Sequence, residues 1–179
     1  MSAAPILAGG RVELRPAVGG DATARLALGQ YAEIVRMFGG DTRDLKPFTL
    51  EGAAAWCARL AAHPHAWVIE EKGRLIGEAR LDRLDPHDRR ASLAVGIYDP
   101  ARLGKGLGTE TVRLVLAYAF EDLGLHRIGI RVLAFNTRAI RCYAKCGFVI
   151  EGREREAALV GGERYDDVIM GLLAREYRS

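Results

Sequence analysis

Between an apolar run, Ala91 to Tyr98, and a segment of helical period, Val112 to Leu123, the sequence reads "ARLGKGLGTET" over residues 101–111. Three alternating glycines between a strand-like and a helix-like segment leave few folds open. A loop of this kind lets backbone N–H groups close on an anion at the start of the following helix. There the aligned peptides place roughly half a positive charge. The central unit is therefore strand, glycine loop, helix, and the flanking chain has to build a sheet around that strand.

The flanking segments are of that kind. "VELRP" alternates Val12 and Leu14 with Glu13 and Arg15, a first strand that stops at Pro16. Asp21 is placed to cap a helix running to about Gly29, and a less regular helix over "QYAEIVRMFGGD" breaks at Gly39-Gly40. Thr49 caps the next helix, in which Ala53, Trp56, Cys57, Leu60 and Ala61 share a face until His63-Pro64-His65. "AWVIEEKGRLIGEARL" reads as a hairpin about Lys72-Gly73, and "DPHDR" turns the chain into the interior strand "RASLAVGIYD".

Past the loop, Val112, Val115, Leu116, Ala119, Phe120 and Leu123 mark a buried helix face that ends at Gly124. "HRIGIRVLAF" is a strand, and Thr137 to Lys145 is a helix closed by Gly147. Two strands, Phe148 to Leu159 and Glu163 to Leu173, meet at Gly161-Gly162. The order β-α-α-β-β-β-α-β-α-β-β predicts a mixed α/β fold: a central mixed sheet of about seven strands, helices on both faces, one domain over residues 1–179. Trp56, Trp67 and Phe120 are expected in its core, and His63 and His65 at its surface.

Composition removes several classes of function. A net charge of +3, with Arg89, Arg90, Arg153 and Arg155 dispersed as solvated surface, does not make a nucleic-acid stripe. The start, "MSAAPILAGGRVELRP", has no charged n-region and no long apolar core, so no signal peptide is read, and no stretch approaches a membrane span. Three cysteines give no disulfide framework, which predicts a reduced, cytoplasmic setting. Cys142 and Cys146 lie one helical turn apart with no third ligand at metal spacing, and read as packing; no metal is expected. Two phosphate motifs also fail. A Walker loop needs a hydroxyl after its lysine, and Lys105 is followed by Gly106; a dinucleotide fingerprint follows the first strand, and Gly104, Gly106 and Gly108 follow the fourth.

"LGKGLGTE" and "NTRAIRCYAKCGF" together resemble the two signature blocks of the GNAT acetyltransferase superfamily. The first is similar to its R/Q-x-x-G-x-G/A loop and the second to its N-x-x-A-x-x-x-Y-x-x-x-G-F block. The element order matches as well, so the resemblance covers nearly the whole chain. The Asn-Thr-Arg-Ala-Ile block and the ending are most similar to the group of ribosomal-protein N-terminal acetyltransferases, with spermidine and some aminoglycoside acetyltransferases nearby. The R/Q position falls on Leu103, with Arg102 one residue early; the loop's work is done by backbone amides, so the departure is tolerable.

The resemblance implies acetyl-CoA as cofactor, with its pyrophosphate on Leu103, Gly104, Lys105, Gly106, Leu107, Gly108 and Thr109. It implies backbone groups of Val95, Gly96 and Ile97 along the pantetheine arm, where the fourth and fifth strands splay, and Asn136 touching the same arm. It places Tyr143 as the acid that protonates the departing thiolate, which suits a phenol of pKa about 10. A homodimer is common among such relatives, and the final strand could pair across chains.

Acetyl transfer from a thioester to an amine needs a neutral amine, a stabilised oxyanion and a protonated leaving group. Relatives that acetylate protein N-termini often carry a glutamate on the fifth strand, five residues before the asparagine. That position is Arg131 here, better suited to pair or pack than to accept a proton. Glu78 on the third strand is the leading alternative base. Glu33, Asp41, Asp85, His87 and a chain of waters stay open, and so does an outward-facing, non-catalytic Glu78. The acceptor wall is expected from Tyr31, Met37 and Phe38, together with the 85–89 turn. Near neutral pH about one α-amine in five is already uncharged, against on the order of one lysine in a thousand. A site short of a strong base therefore favours the α-amine of a protein N-terminus. Small amines (polyamine, amino acid, aminoglycoside-like) are the alternative, as is a CoA-binding module without catalysis.

Overall fold

The computed structural model describes residues 4–178. Eight strands form one sheet: β1 (Leu7–Ala8), β2 (Val12–Arg15), β3 (Ala66–Glu71), β4 (Arg74–Asp85), β5 (Arg90–Ile97), β6 (Arg127–Leu133), β7 (Val149–Val160) and β8 (Glu163–Leu173). Their spatial order is β1-β2-β3-β4-β5-β6-β8-β7. Helices α1 (Asp21–Ala27), α2 (Ala32–Met37) and α3 (Leu50–Ala61) precede the β3–β4 hairpin; α4 (Leu107–Ala117) and α5 (Thr137–Lys145) flank β6. No helix among the described residues is long and apolar enough to cross a membrane.

Strand alternation builds the layers on the two faces. On β3, Ala66 and Val68 pack with Trp56, Cys57 and Leu60 of α3, while Trp67 and Ile69 join Val112, Val115 and Leu116 of α4. All four β3 residues are buried, as an interior strand requires. The Lys72-Gly73 turn has both residues at positive φ, which suits the tight hairpin expected there.

Several elements depart from the sequence expectation. β1 adds an eighth strand too short to carry any periodicity, and all three early helices form, one more than the predicted order counts. Gly20, not Asp21, caps α1. The Asp21 carboxylate turns back to the Arg15 guanidinium at 2.7 and 2.8 Å and to the Val18 amide at 2.7 Å. A forked ion pair outweighs a cap bond there. Thr49 does cap α3, accepting from the Gly52 amide at 3.1 Å.

His63 and His65 are half-buried rather than free surface, His65 meeting the Tyr118 hydroxyl at 3.1 Å. The final strand β8 lies between β6 and β7, and β7 is the edge strand. Over Asp167–Gly171 both sides of β8 are already paired, so that stretch offers no edge for pairing across chains.

One irregularity positions everything that follows. β5 and β6 run parallel and pair only over Arg90↔Arg127, Ala91↔Ile128 and Ser92↔Gly129. Beyond those pairs β5 continues to Ile97 and β6 to Leu133 without a shared ladder. The sheet is split open between them.

Candidate active site

Hydrogen-bond alternation decides what the split exposes. The Tyr98 amide donates to the Ile76 carbonyl at 2.8 Å, in the same antiparallel register that pairs Gly96 with Glu78. Alternate residues of β5 therefore bond to β4, and Val95 and Ile97 turn their N–H and C=O groups into the gap. Gly96 bonds toward β4, and a Cβ there would lie 2.8 Å from the Phe38 ring. Of the three expected residues, two offer backbone to the split, and the third lets Phe38 lie across the strand.

On one side of the split is a cleft of about 450 Å³ between α4, α5 and the glycine loop. Gly104 and Gly106 sit at φ +73° and +81°, a region open to glycine at no steric cost. Gly106 is the N-cap of α4, so the helix starts at Leu107, inside the glycine run and ahead of the Val112–Leu123 periodicity. Among the described residues no side chain caps α4, and its first amides are free to meet an anion. Leu103, Gly104, Gly106, Leu107, Gly108 and Thr109 line the cleft, while Lys105 is exposed outside it. Arg11 braces the loop from behind, donating to the Lys105 carbonyl at 2.8 Å and to Glu110 at 2.9 Å. Arg102, one residue out of the family register, is held by Glu71 and Asp99 on the cleft wall.

Cys142 also lines this cleft, its sulfur 3.4 Å from the Thr109 hydroxyl. The neighbouring Cys146, first, and the Thr109 hydroxyl hold the Cys142 thiol below its ordinary value, while Cys142 and burial push the Cys146 thiol up; the Cys146 sulfur itself meets the Thr109 carbonyl at 3.7 Å. Burial raises Cys57. Because the thiolate is the reactive form, limiting iodoacetamide is expected to alkylate Cys142 ahead of Cys57 and Cys146 in peptide mass spectra. Preferential labelling of Cys57 would contradict this assignment.

A second cavity of about 590 Å³ opens on the other side of the split. Met37, Phe38, Val95, Asn136, Ala139 and Tyr143 line both cavities, so these residues form the passage between them. Asn136 caps α5 through the Ala139 amide at 3.2 Å and donates to the Met37 carbonyl at 3.3 Å, tying α2 to α5. Tyr143 is only 7% exposed, and burial pushes its phenol above the ordinary value. Its hydroxyl has no hydrogen-bond partner among the described residues and faces the passage as a protonated donor.

The second cavity is walled by two buried carboxylates. Glu78 is 6% exposed, not outward-facing. Both its oxygens are engaged, by Trp56 Nε1, by Arg80 and by Arg59 at 3.2 and 3.4 Å. Its neighbour Tyr98 is pushed up, by burial first and by Glu78 second. Asp167 on β8 is 4% exposed and accepts from Arg131 Nε at 2.5 Å. Arg131, at the family's glutamate position, also reaches Glu154 at 3.5 Å.

The remaining candidate bases line neither cavity. Glu33 meets Arg138 at 3.3 Å, Asp41 is clamped by Arg43, and Asp85 accepts from the amides of His87 and Asp88. The 85–89 turn is not part of the acceptor wall: it enters β5 at the paired end, about 20 Å of strand from the open end at Gly96. Met37 and Phe38 line the second cavity as expected, and Tyr31 does not.

Asp167 and Tyr98 went unread in the sequence. The signal for Asp167 was its phase: in "YDDVIM" it shares a face with Ile169, and its Cα partner on β6 is Leu133.

A strand pair split around two cavities that meet at a tyrosine, with an uncapped helix over one of them, is the architecture of an acetyl-transfer domain. The chain belongs to the GNAT acetyltransferase family, whose "Acetyltransferase (GNAT) domain" model matches residues 11–149. Over 107 residues it is 34% identical to the ribosomal N-acetyltransferase-like protein YdaF of Bacillus subtilis, 60% of this chain and 58% of that one. It is 35% identical over 103 residues to a spermidine N(1)-acetyltransferase of Vibrio cholerae, 57% and 58% of the two chains. In both cases the match spans less than two thirds of the relative. An acetyltransferase-like crystal structure from T. thermophilus superposes with a TM-score of 0.81 at 26% identity, covering 98% of this chain and 93% of that one.

Proposed function

We propose that the chain is a single acetyl-transfer domain that moves the acetyl group of acetyl-CoA directly to a primary amine, with a protein N-terminal α-amine as the preferred acceptor. The loop from Leu103 to Thr109 takes the pyrophosphate. Val95 and Ile97 pair with the pantetheine arm as a missing strand, one of their amides serving as oxyanion donor, and Asn136 flanks the arm. Tyr143 protonates the thiolate. Glu78 anchors the cavity wall through its arginines; as a base it would have to surrender one of those bonds.

The observation that carries the acceptor preference is the charge balance of the second cavity. Glu78 faces Arg59 and Arg80, and Asp167 faces Arg131. Each carboxylate already has its cation, so the wall holds little unpaired negative charge for a polycation. An amine bearing one charge, which loses it easily, fits that wall better.

The test is a panel of an alanine-initiated peptide, a lysine side-chain amine and spermidine, followed by release of free thiol. The peptide is expected to give the highest kcat/KM, rising with pH and levelling near about pH 8 as its amine ionises. Spermidine outrunning the peptide would transfer the assignment to small amines, the reading the Vibrio cholerae relative favours. Cofactor binding without turnover on any amine would leave a CoA-binding module.

A further inference from the structure

We propose that Asp167 is the proton acceptor of this site, a catalytic carboxylate moved from β6 to the neighbouring strand β8. The inference rests on the acetyl-transfer reading above.

Position comes first. Asp167 pairs with Leu133 across the β6–β8 ladder, and partners in register point to the same face. It thus stands one strand over from Arg131, on the face that borders the second cavity. Tyr143 lines the same cavity, so base and acid address one space from two elements.

Availability comes second. The two buried carboxylates of the cavity are not equivalent. Glu78 has donors on both oxygens. In Asp167, Oδ2 accepts from Arg131 Nε, and Oδ1 has no hydrogen-bond partner among the described residues. It is not among the fully enclosed side-chain atoms that lack a hydrogen-bond partner either. Oδ1 therefore opens onto the cavity. Arg131, which displaces the usual glutamate, fixes the rotamer that points Oδ1 there.

The amine nitrogen attacks the thioester carbonyl carbon and the C–N bond forms. The proton on that nitrogen passes to Oδ1, directly or across one water. The tetrahedral intermediate collapses, the C–S bond breaks, and the sulfur takes the phenolic proton of Tyr143. Asp167 returns its proton through solvent to the phenolate, leaving an amide and a thiol. The charged or titratable groups around Asp167 and its cavity are Arg131 from β6, Glu154 from β7, Glu78 and Arg80 from β4, Tyr98 just past β5, and Tyr143 from α5.

The experiment measures free-thiol release as a function of pH for wild type, Asp167→Asn and Glu78→Gln, using the fastest amine of the panel. Melting temperature is recorded with and without acetyl-CoA on each protein. Asp167→Asn is expected to keep the cofactor-induced shift, to lower kcat about 10²-fold, and to lose the low-pH limb contributed by the enzyme. Only the ionisation of the amine should remain. Glu78→Gln should retain that limb.

Because Asp167→Asn leaves Arg131 with Glu154 alone, at 3.5 Å, the double variant Arg131→Met/Asp167→Asn is run beside it and should show the same loss. A wild-type rate and profile in Asp167→Asn overturns the proposal, as does a limb erased by Glu78→Gln instead. Wild type that binds acetyl-CoA yet acetylates no amine of the panel overturns the parent reading, a distinct outcome.

Discussion

Replacing Gly108 by valine is expected to abolish the rise in melting temperature that acetyl-CoA gives the wild type. A ligand at about 100 times its Kd stabilises the folded state by about 2.7 kcal/mol, roughly 5–10 °C for a chain of this size. Gly108 lines the cleft in ordinary helical geometry, and a Cβ there would sit 3.8 Å from the Cys142 sulfur, a normal contact. The unliganded protein should therefore melt close to wild type while the added carbons stand between the α4 amides and the diphosphate. Gly106→Val is a poorer probe. Its φ of +81° and the Arg11 guanidinium 3.2 Å away would strain the loop and confuse folding with binding. Undiminished stabilisation of the Gly108 variant by acetyl-CoA would remove the pyrophosphate from this loop.

The second large effect belongs to Tyr143. Tyr143→Phe deletes one oxygen that bonds nothing in the free protein, so neither packing nor a partner is lost. The ring keeps its edge-on contact with Phe148 at 5.8 Å. Cofactor affinity should hold while kcat falls by about 10²–10⁴-fold, the usual yield of a positioned acid. Burial keeps the phenol protonated across the working range, so the hydroxyl is present as a donor throughout. A rate within about threefold of wild type would leave Tyr143 as core and the thiolate departing unaided.

The sequence was most legible where local chemistry decides structure. Thr49 as a cap, Lys72-Gly73 as a turn and the helix from Thr137 to Lys145 follow from residues within one turn of each other. The glycine loop was legible too, because its alternation has few other uses. The acceptor side was harder to read, since it is assembled from distant strands.

Glu78 looked like an isolated acid in an apolar hairpin; Trp56 and Arg59, which engage it with Arg80, lie about twenty residues away on α3. Asp167 was hidden beside Asp166 in a doublet that reads as polar surface. Only the β6–β8 register separates them: Asp167 joins Arg131 at the cavity, and Asp166 holds the β7 bulge through the Glu156 amide at 2.9 Å. The Asp21 cap failed for the same kind of reason, a partner six residues back on another element.

The parting of β5 from β6 has a further consequence, for how the chain survives while empty. Sheets usually keep their bare edges at the rim, where short strands, charges and bulges discourage unwanted company. Here a bare edge runs through the middle of the sheet, and its residues, Val95 and Ile97 among them, are those a foreign strand would join most readily. Met37 and Phe38, laid over the opening, act as a guard as well as a wall. A strand-like arm seated in the gap would close that edge, so the sheet is complete only when the cofactor site is filled.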